Sequence, residues 1–206
     1  MTEKYLLEMN HIEKSFGKVR ALSDGTIRVR PGTVHALMGE NGAGKSTLMK
    51  CLLGIYTKDK GEILLDGKSV SFANPADALN HNVAMVHQEL NQIQFQNVME
   101  NMWLGRYPLR NGLIDVKTME KNTREIFNDL NIDVDPYAKI HTLQVAQKQM
   151  VEIAKAISYN SKILVLDEPT SSLTENEVSH LFRILKKLLE REIGIIFISH
   201  KLDEVR

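Results

Sequence analysis

The chain has 206 residues, enough for one domain with a real core, and its 26 acidic residues balance its 26 basic ones. That balance argues against a nucleic-acid partner, and 43% hydrophobic with 25% charged residues argues against disorder. A single cysteine, Cys51, rules out an internal disulfide, and no apolar run approaches the length of a membrane span.

In chain order, Tyr5–Ile12 and Gly25–Arg30 read as strands, and Pro31-Gly32 as a turn. Thr33–Met38 is a short apolar strand, followed by a glycine-rich loop and a helix from Lys45 to about Leu53. Gly54 can end that helix in the left-handed conformation. Gly61–Leu65, Asp66-Gly67 and Ser69–Phe72 read as a hairpin, Pro75–Asn80 as a short helix and Val83–His87 as a strand. From Gln88 to about Ser158 no strand is expected. Asn97–Leu104, Asp115–Leu130 and Val145–Ser158 read as helices, so residues 88–158 form a helical insertion into an α/β core made of 1–87 and 159–206. Lys162–Leu166 and Gly194–Ser199 have the continuous apolar character of strands buried on both faces. Between them Thr174–Glu190 is an amphipathic helix opened by the capping-box pair Thr174 and Glu177. Strands alternating with helices predict a parallel sheet covered on both sides.

Two motifs carry chemistry. Gly39-Glu-Asn41-Gly42-Ala43-Gly44-Lys45-Ser46, followed by Thr47, fits the phosphate-binding loop and sits where it should, between a strand and a helix. Glycines let successive backbone N–H groups turn toward phosphate oxygens, and the helix adds its positive dipole end. Lys45 offers a charge to the β- and γ-phosphates, and the Ser46 hydroxyl can ligate magnesium. The second motif is Asp167-Glu168 at the carboxyl end of a buried strand, where parallel sheets bind ligands. Asp167 is the expected magnesium ligand and Glu168 the expected general base, with Pro169 stiffening the exit.

These pieces together resemble the ABC ATPase family. The resemblance implies an α/β fold: a P-loop NTPase core with a small antiparallel β-subdomain and the inserted helical subdomain. It implies ATP and Mg2+ as ligands. Gln88 corresponds to the glutamine that senses the metal and γ-phosphate, and His200 to the histidine that contacts the γ-phosphate. Phe16 stands where the family stacks an aromatic ring on adenine, although packing alone would equally suit it. Leu143-Gln144-Val145-Ala146-Gln147 resembles the signature that closes over a facing nucleotide, and Ser171–Thr174 corresponds to the D-loop. The signature departs from Leu-Ser-Gly-Gly-Gln at three positions. Gln144 is a weaker helix cap than serine, with Thr142 as a possible substitute cap. Val145 and Ala146 put side chains where backbone approaches phosphate, and Thr174 replaces an aspartate. These changes weaken the expected contribution of this signature to fast hydrolysis.

Glu40–Met49, Met85–Asn91, Glu100–Pro108 and Asp167–Glu175 are most similar to the first ATPase half of monosaccharide importers, the galactose/methyl-galactoside group in particular. That likeness implies a peripheral subunit on the cytoplasmic face of a membrane. Its partners would be transmembrane permease subunits, a second ATPase half or second copy of this chain, and indirectly an extracytoplasmic sugar-binding protein. Importers of this type carry two ATPase halves in one longer chain, so this chain, ending at Arg206 six residues after His200, reads as one truncated half with some core surface uncovered. Trp103 then either approaches the membrane subunit or belongs to the core of the helical subdomain. A ribosome- or DNA-associated ATPase and a nucleotide switch with little hydrolysis are the alternative readings; neutral charge disfavours the former and intact Glu168 the latter.

Overall fold

The structure, a computed structural model, describes residues 4–40 and 42–200. Its elements run β1 (Leu7–Phe16), β2 (Val19–Val29), β3 (Val34–Met38), α1 (Lys45–Leu52), β4 (Lys60–Leu65), β5 (Lys68–Ser69), α2 (Pro75–Asn80) and β6 (Val83–Val86). They continue through α3 (Val98–Met102), β7 (Leu109–Arg110), β8 (Leu113–Ile114), α4 (Val116–Leu130), α5 (Val145–Ile157), β9 (Ile163–Asp167), α6 (Glu175–Glu190) and β10 (Gly194–Ser199). A four-stranded antiparallel sheet has the order β2-β1-β4-β5, and a four-stranded parallel sheet the order β3-β10-β9-β6.

The parallel sheet separates two cores, and the two-residue period of a strand does the sorting. Ile163, Val165, Ile196 and Ile198 face the antiparallel sheet and α1, joining Leu7, Met9, Ile12, Val29, Met49 and Leu52. Leu164, Leu166, Ile195 and Phe197 face the other way, onto α5 and α6 through Val151, Ile153, Leu181, Ile184 and Leu188. Every residue from Gly194 to Ser199 is buried, which is why this strand lacks polar alternation.

Local chemistry accounts for the helix ends. Asn97 begins α3 with a reciprocal capping box: its side chain accepts from the Glu100 N–H at 2.8 Å, and Glu100 accepts from the Asn97 N–H at 2.9 Å. Asp115 caps α4 by accepting from the Thr118 N–H at 3.1 Å. At α6 the Glu177 carboxylate accepts from both the Thr174 N–H and its hydroxyl at 2.8 Å. Gly54 ends the α1 turn at φ 69°, and a Cβ there would lie 2.4 Å from the Phe72 carbonyl oxygen, so only glycine fits.

Three local expectations are corrected. The second strand begins at Val19, not Gly25, because bulges between Met9 and Ser15 let β1 keep pairing past the Ser23-Asp24-Gly25 breakers. The 88–158 stretch contains a hairpin, β7–β8, closed by Asn111 and Gly112 at φ 52° and 80°. Both central residues sit at positive φ, the condition of a tight type I′ turn. Thr142 does not cap α5; its hydroxyl donates to the Lys139 carbonyl at 2.7 Å, and Gln144 holds the cap position. Trp103 is partly buried against the second core, donates to the Thr123 hydroxyl at 2.9 Å and lies under the Arg106 guanidinium at 4.5 Å. Arg106 also reaches the Ser158 and Met102 carbonyls at 3.0 and 2.9 Å, tying the end of α3 to the end of α5.

Candidate functional site

The parallel register brings the candidate residues together. Met38 is level with Ser199, Ile198 with Asp167, and Leu166 with Val86. All four strands therefore end on one edge, and their next residues are Gly39, His200, Glu168 and His87-Gln88. That edge opens into a cavity of about 390 Å³ lined by Gly42–Thr47, Gln88, Asp167, Glu168 and Ile198, and also by Val19, Arg20 and Ala21 of β2.

The loop from Gly39 turns directly into α1. Gly44 precedes the helix at φ 88°, and a Cβ on it would lie 2.9 Å from the Ala21 carbonyl oxygen. Gly44→Ala is therefore expected to destabilise the chain by about 1–3 kcal/mol, from left-handed backbone strain and the clash together, and to weaken nucleotide binding; denaturant unfolding and titration with ATP measure the two losses. Lys45 Nζ donates to the Gly39 carbonyl and, at 3.0 Å, to the Glu40 carbonyl, so its ammonium bridges the mouth of the loop. Asn41 lies outside the described residues.

Asp167 is half-buried. Burial first, and the adjacent Glu168 carboxylate second, push its pKa above the ordinary carboxylate value, while His87, Lys45 and Lys50 pull it back. A raised folded pKa means that the native chain holds this proton more tightly than the unfolded chain. Stability from Asp167 is thus full below the unfolded value and lost as pH rises through the folded one. Asp167→Asn is expected to raise the melting temperature of the nucleotide-free chain near neutral pH, and this gain should fade as pH falls to about 3.9, the unfolded value. Thermal melts across that range check it.

Glu168 adopts φ 47°, a left-handed conformation costly for a residue with a side chain. Its N–H donates to the Ile198 carbonyl at 3.0 Å, and its carbonyl accepts from the Ser171 N–H and hydroxyl at 3.2 and 3.0 Å. These bonds hold the strained turn and aim the carboxylate. One oxygen lies 3.0 Å from His200 Nδ1, and the other accepts from Gln88 Nε2 at 3.4 Å. Three residues from three strand ends thus meet at one carboxylate.

Other candidates stand apart. Phe16 lies at the end of β1, partly exposed, and is not among the cavity-lining residues, although its cross-strand partner Val19 is. Gln144, Ala146 and Gln147 line a different cavity of about 210 Å³, beside Glu177 and His180. The Gln147 side chain accepts from the Gln144 N–H at 3.0 Å, so a glutamine pair here opens α5. Val19, Arg20 and Ala21 of β2 also line the cavity, and no motif in the sequence marks them.

A family model described as ABC transporter matches residues 22–171. The chain belongs to the ABC transporter family. This cassette is 60% identical over 203 residues to the galactose/methyl galactoside import ATP-binding protein MglA of Fusobacterium nucleatum subsp. nucleatum, a match covering 98% of the cassette and 41% of that relative. It is 57% identical over 202 residues to the MglA of Escherichia coli, covering 98% and 40%. The cassette therefore spans about two-fifths of the length of these relatives. Its fold matches the ADP conformation of an ATP-binding cassette of an ABC transporter, with TM-score 0.85, 25% identity and coverage of 99% of this chain and 84% of that one. It also matches cbiO1 from Clostridium perfringens, part of the ABC transporter complex cbiONQ, with TM-score 0.83, 27% identity and coverage of 98% and 81%. The α/β cassette fold expected from the sequence is the fold observed. No helix among the described residues is long and apolar enough to cross a membrane.

Proposed function

We propose that this cassette binds and hydrolyses ATP to power a monosaccharide importer of the galactose/methyl-galactoside type. The observation that carries the reading is the meeting of Gln88 and His200 on the Glu168 carboxylate in the cavity that also holds Lys45, Ser46 and Asp167. The triphosphate lies along Gly39–Gly44 and the α1 N-terminus, within reach of Lys45, Ser46 and Thr47, with Asn41 and Ala43 contributing backbone from the loop. Phe16 stacks on the adenine.

Ser46, Asp167 and Gln88 would hold Mg2+. Their donors are all oxygens, which suits a hard cation, and they are few, which suits an ion that shares its coordination with phosphates and water. Bound magnesium would neutralise charge developing on the β- and γ-phosphates. Glu168 accepts a proton from the attacking water as the water oxygen bonds to the γ-phosphorus. The bond to the β-bridging oxygen breaks, releasing ADP and phosphate. His200 orients Glu168 and reaches the γ-phosphate, and Gln88 links this centre to residues 88–158, which we read as a helical subdomain. The separate position of Gln144, Ala146 and Gln147 suits a role at the nucleotide of a facing cassette, either a second ATPase half or a second copy. The remaining partners are transmembrane permease subunits on the cytoplasmic face and, through them, an extracytoplasmic sugar-binding protein.

Uptake of labelled galactose and methyl galactoside by cells whose importer ATPase carries this cassette tests the reading. Uptake should depend on the intact cassette; uptake unaffected by its deletion, with the permease still present, rejects the importer role.

A further inference from the structure

Phe16 is held more firmly than a partly exposed ring at a strand end would be. It forms a T-shaped pair with the Tyr56 ring, 4.9 Å between centroids and 73° between planes. The Lys14 ammonium lies 5.5 Å from the Phe16 centroid and is itself fixed by the Asp59 carboxylate at 2.8 Å. The other Asp59 oxygen accepts from the Ser15 N–H at 2.7 Å, and the Asp59 N–H donates to the Glu13 carbonyl at 2.8 Å. Tyr56 is anchored in turn: its N–H donates to the Lys50 carbonyl at 3.1 Å, and the Lys50 ammonium lies 5.4 Å from its ring.

The segment between α1 and β4 thus grips the end of β1 at two points, through Tyr56 and Asp59. This segment follows α1, whose first residues, Lys45 and Ser46, line the phosphate cavity. Eight helical residues set a fixed separation of about 12 Å between the two ends. We propose that Tyr56 and Lys14 are positioning residues for the base: they fix Phe16 so that its exposed side stacks on the adenine of a nucleotide whose phosphates lie at Gly42–Ser46. The inference rests on the nucleotide reading above and adds what sets the base end of the site. Ordering Phe16 in advance removes part of the entropy that a free ring would lose on stacking.

Calorimetric titration of the whole chain with ATP and with inorganic tripolyphosphate tests it. Tyr56→Leu should weaken ATP binding about three- to tenfold, the worth of one aromatic pair, and leave tripolyphosphate binding unchanged. Tyr56→Phe should restore ATP affinity. Phe16→Ala should weaken ATP at least as much, and adding Tyr56→Leu to it should cost nothing more. Lys14→Met gives a second variant, with the same expected selectivity, should Tyr56→Leu not fold. If Phe16→Ala weakens ATP but Tyr56→Leu and Lys14→Met do not, the positioning role is overturned while the stacking stands. If Phe16→Ala has no effect on ATP, stacking and positioning fail together, and the phosphate assignment is judged separately by tripolyphosphate. Equal loss of ATP and tripolyphosphate affinity in Tyr56→Leu marks a merely structural residue and overturns the proposal.

Discussion

Glu168→Gln is expected to lower the ATP turnover rate about a hundred- to ten-thousandfold, the range of a general base, with ATP still bound. The amide keeps the shape of the carboxylate, though its single oxygen can accept from only one of Gln88 and His200. The turn is held through the Glu168 backbone, by Ile198 and Ser171, and should survive. What it loses is the capacity to take a proton from water. Single-turnover hydrolysis beside equilibrium ATP binding separates the two properties. Equal hydrolysis rates in the variant and the wild type would reject Glu168 as the base. A large loss of ATP affinity would instead assign the carboxylate to binding.

Lys45→Ala is expected to weaken ATP binding about a hundredfold or more, because a charge-assisted contact to a buried phosphate is worth several kcal/mol. Its effect on the fold should be small. Among the described residues, the Lys45 ammonium donates to carbonyls of its own loop, at Gly39 and Glu40, and α1 keeps its apolar face, Leu48, Met49 and Leu52, in the core. Circular dichroism melts should therefore overlay those of the wild type while fluorescent-nucleotide titration does not saturate. A variant that binds ATP normally would refute the phosphate assignment. The contrast with Gly44→Ala is informative: one substitution removes a charge and spares the backbone, the other strains the backbone and leaves the charge.

Much of this architecture is legible from residue order because its signals are local. Gly194–Ser199, apolar from Ile195 to Ile198, is a strand with those same bounds, and Pro75–Asn80 is the predicted short helix. The Thr174–Glu177 pair marks a helix start that the hydrogen bonds bear out. The Asn111-Gly112 turn is an equally local signal, but the two-residue strands beside it leave almost no periodicity to read. The long β2 strand was hidden by Ser23-Asp24-Gly25, residues that end strands unless bulges absorb them. Convergence of Gln88, Glu168 and His200 could be expected only through family resemblance. It depends on a register between strands far apart in the chain, which spacing alone does not encode. The positive φ of Glu168 and the grip of Tyr56 and Lys14 on Phe16 are tertiary facts with no pattern at all in the sequence.

The level alignment of β9 with its neighbours has a further meaning for how such a protein can change over time. A single amino acid inserted within Ile163–Leu166 would rotate each following side chain to the opposite layer, exchanging the partners of both cores and turning Asp167 away from its present direction. Length there is frozen, whereas the Asn111-Gly112 tip, with open space around Gly112, can lengthen or shorten without touching either core. Drift in chain length should collect at that tip, and the strands beneath the cavity should vary by substitution alone.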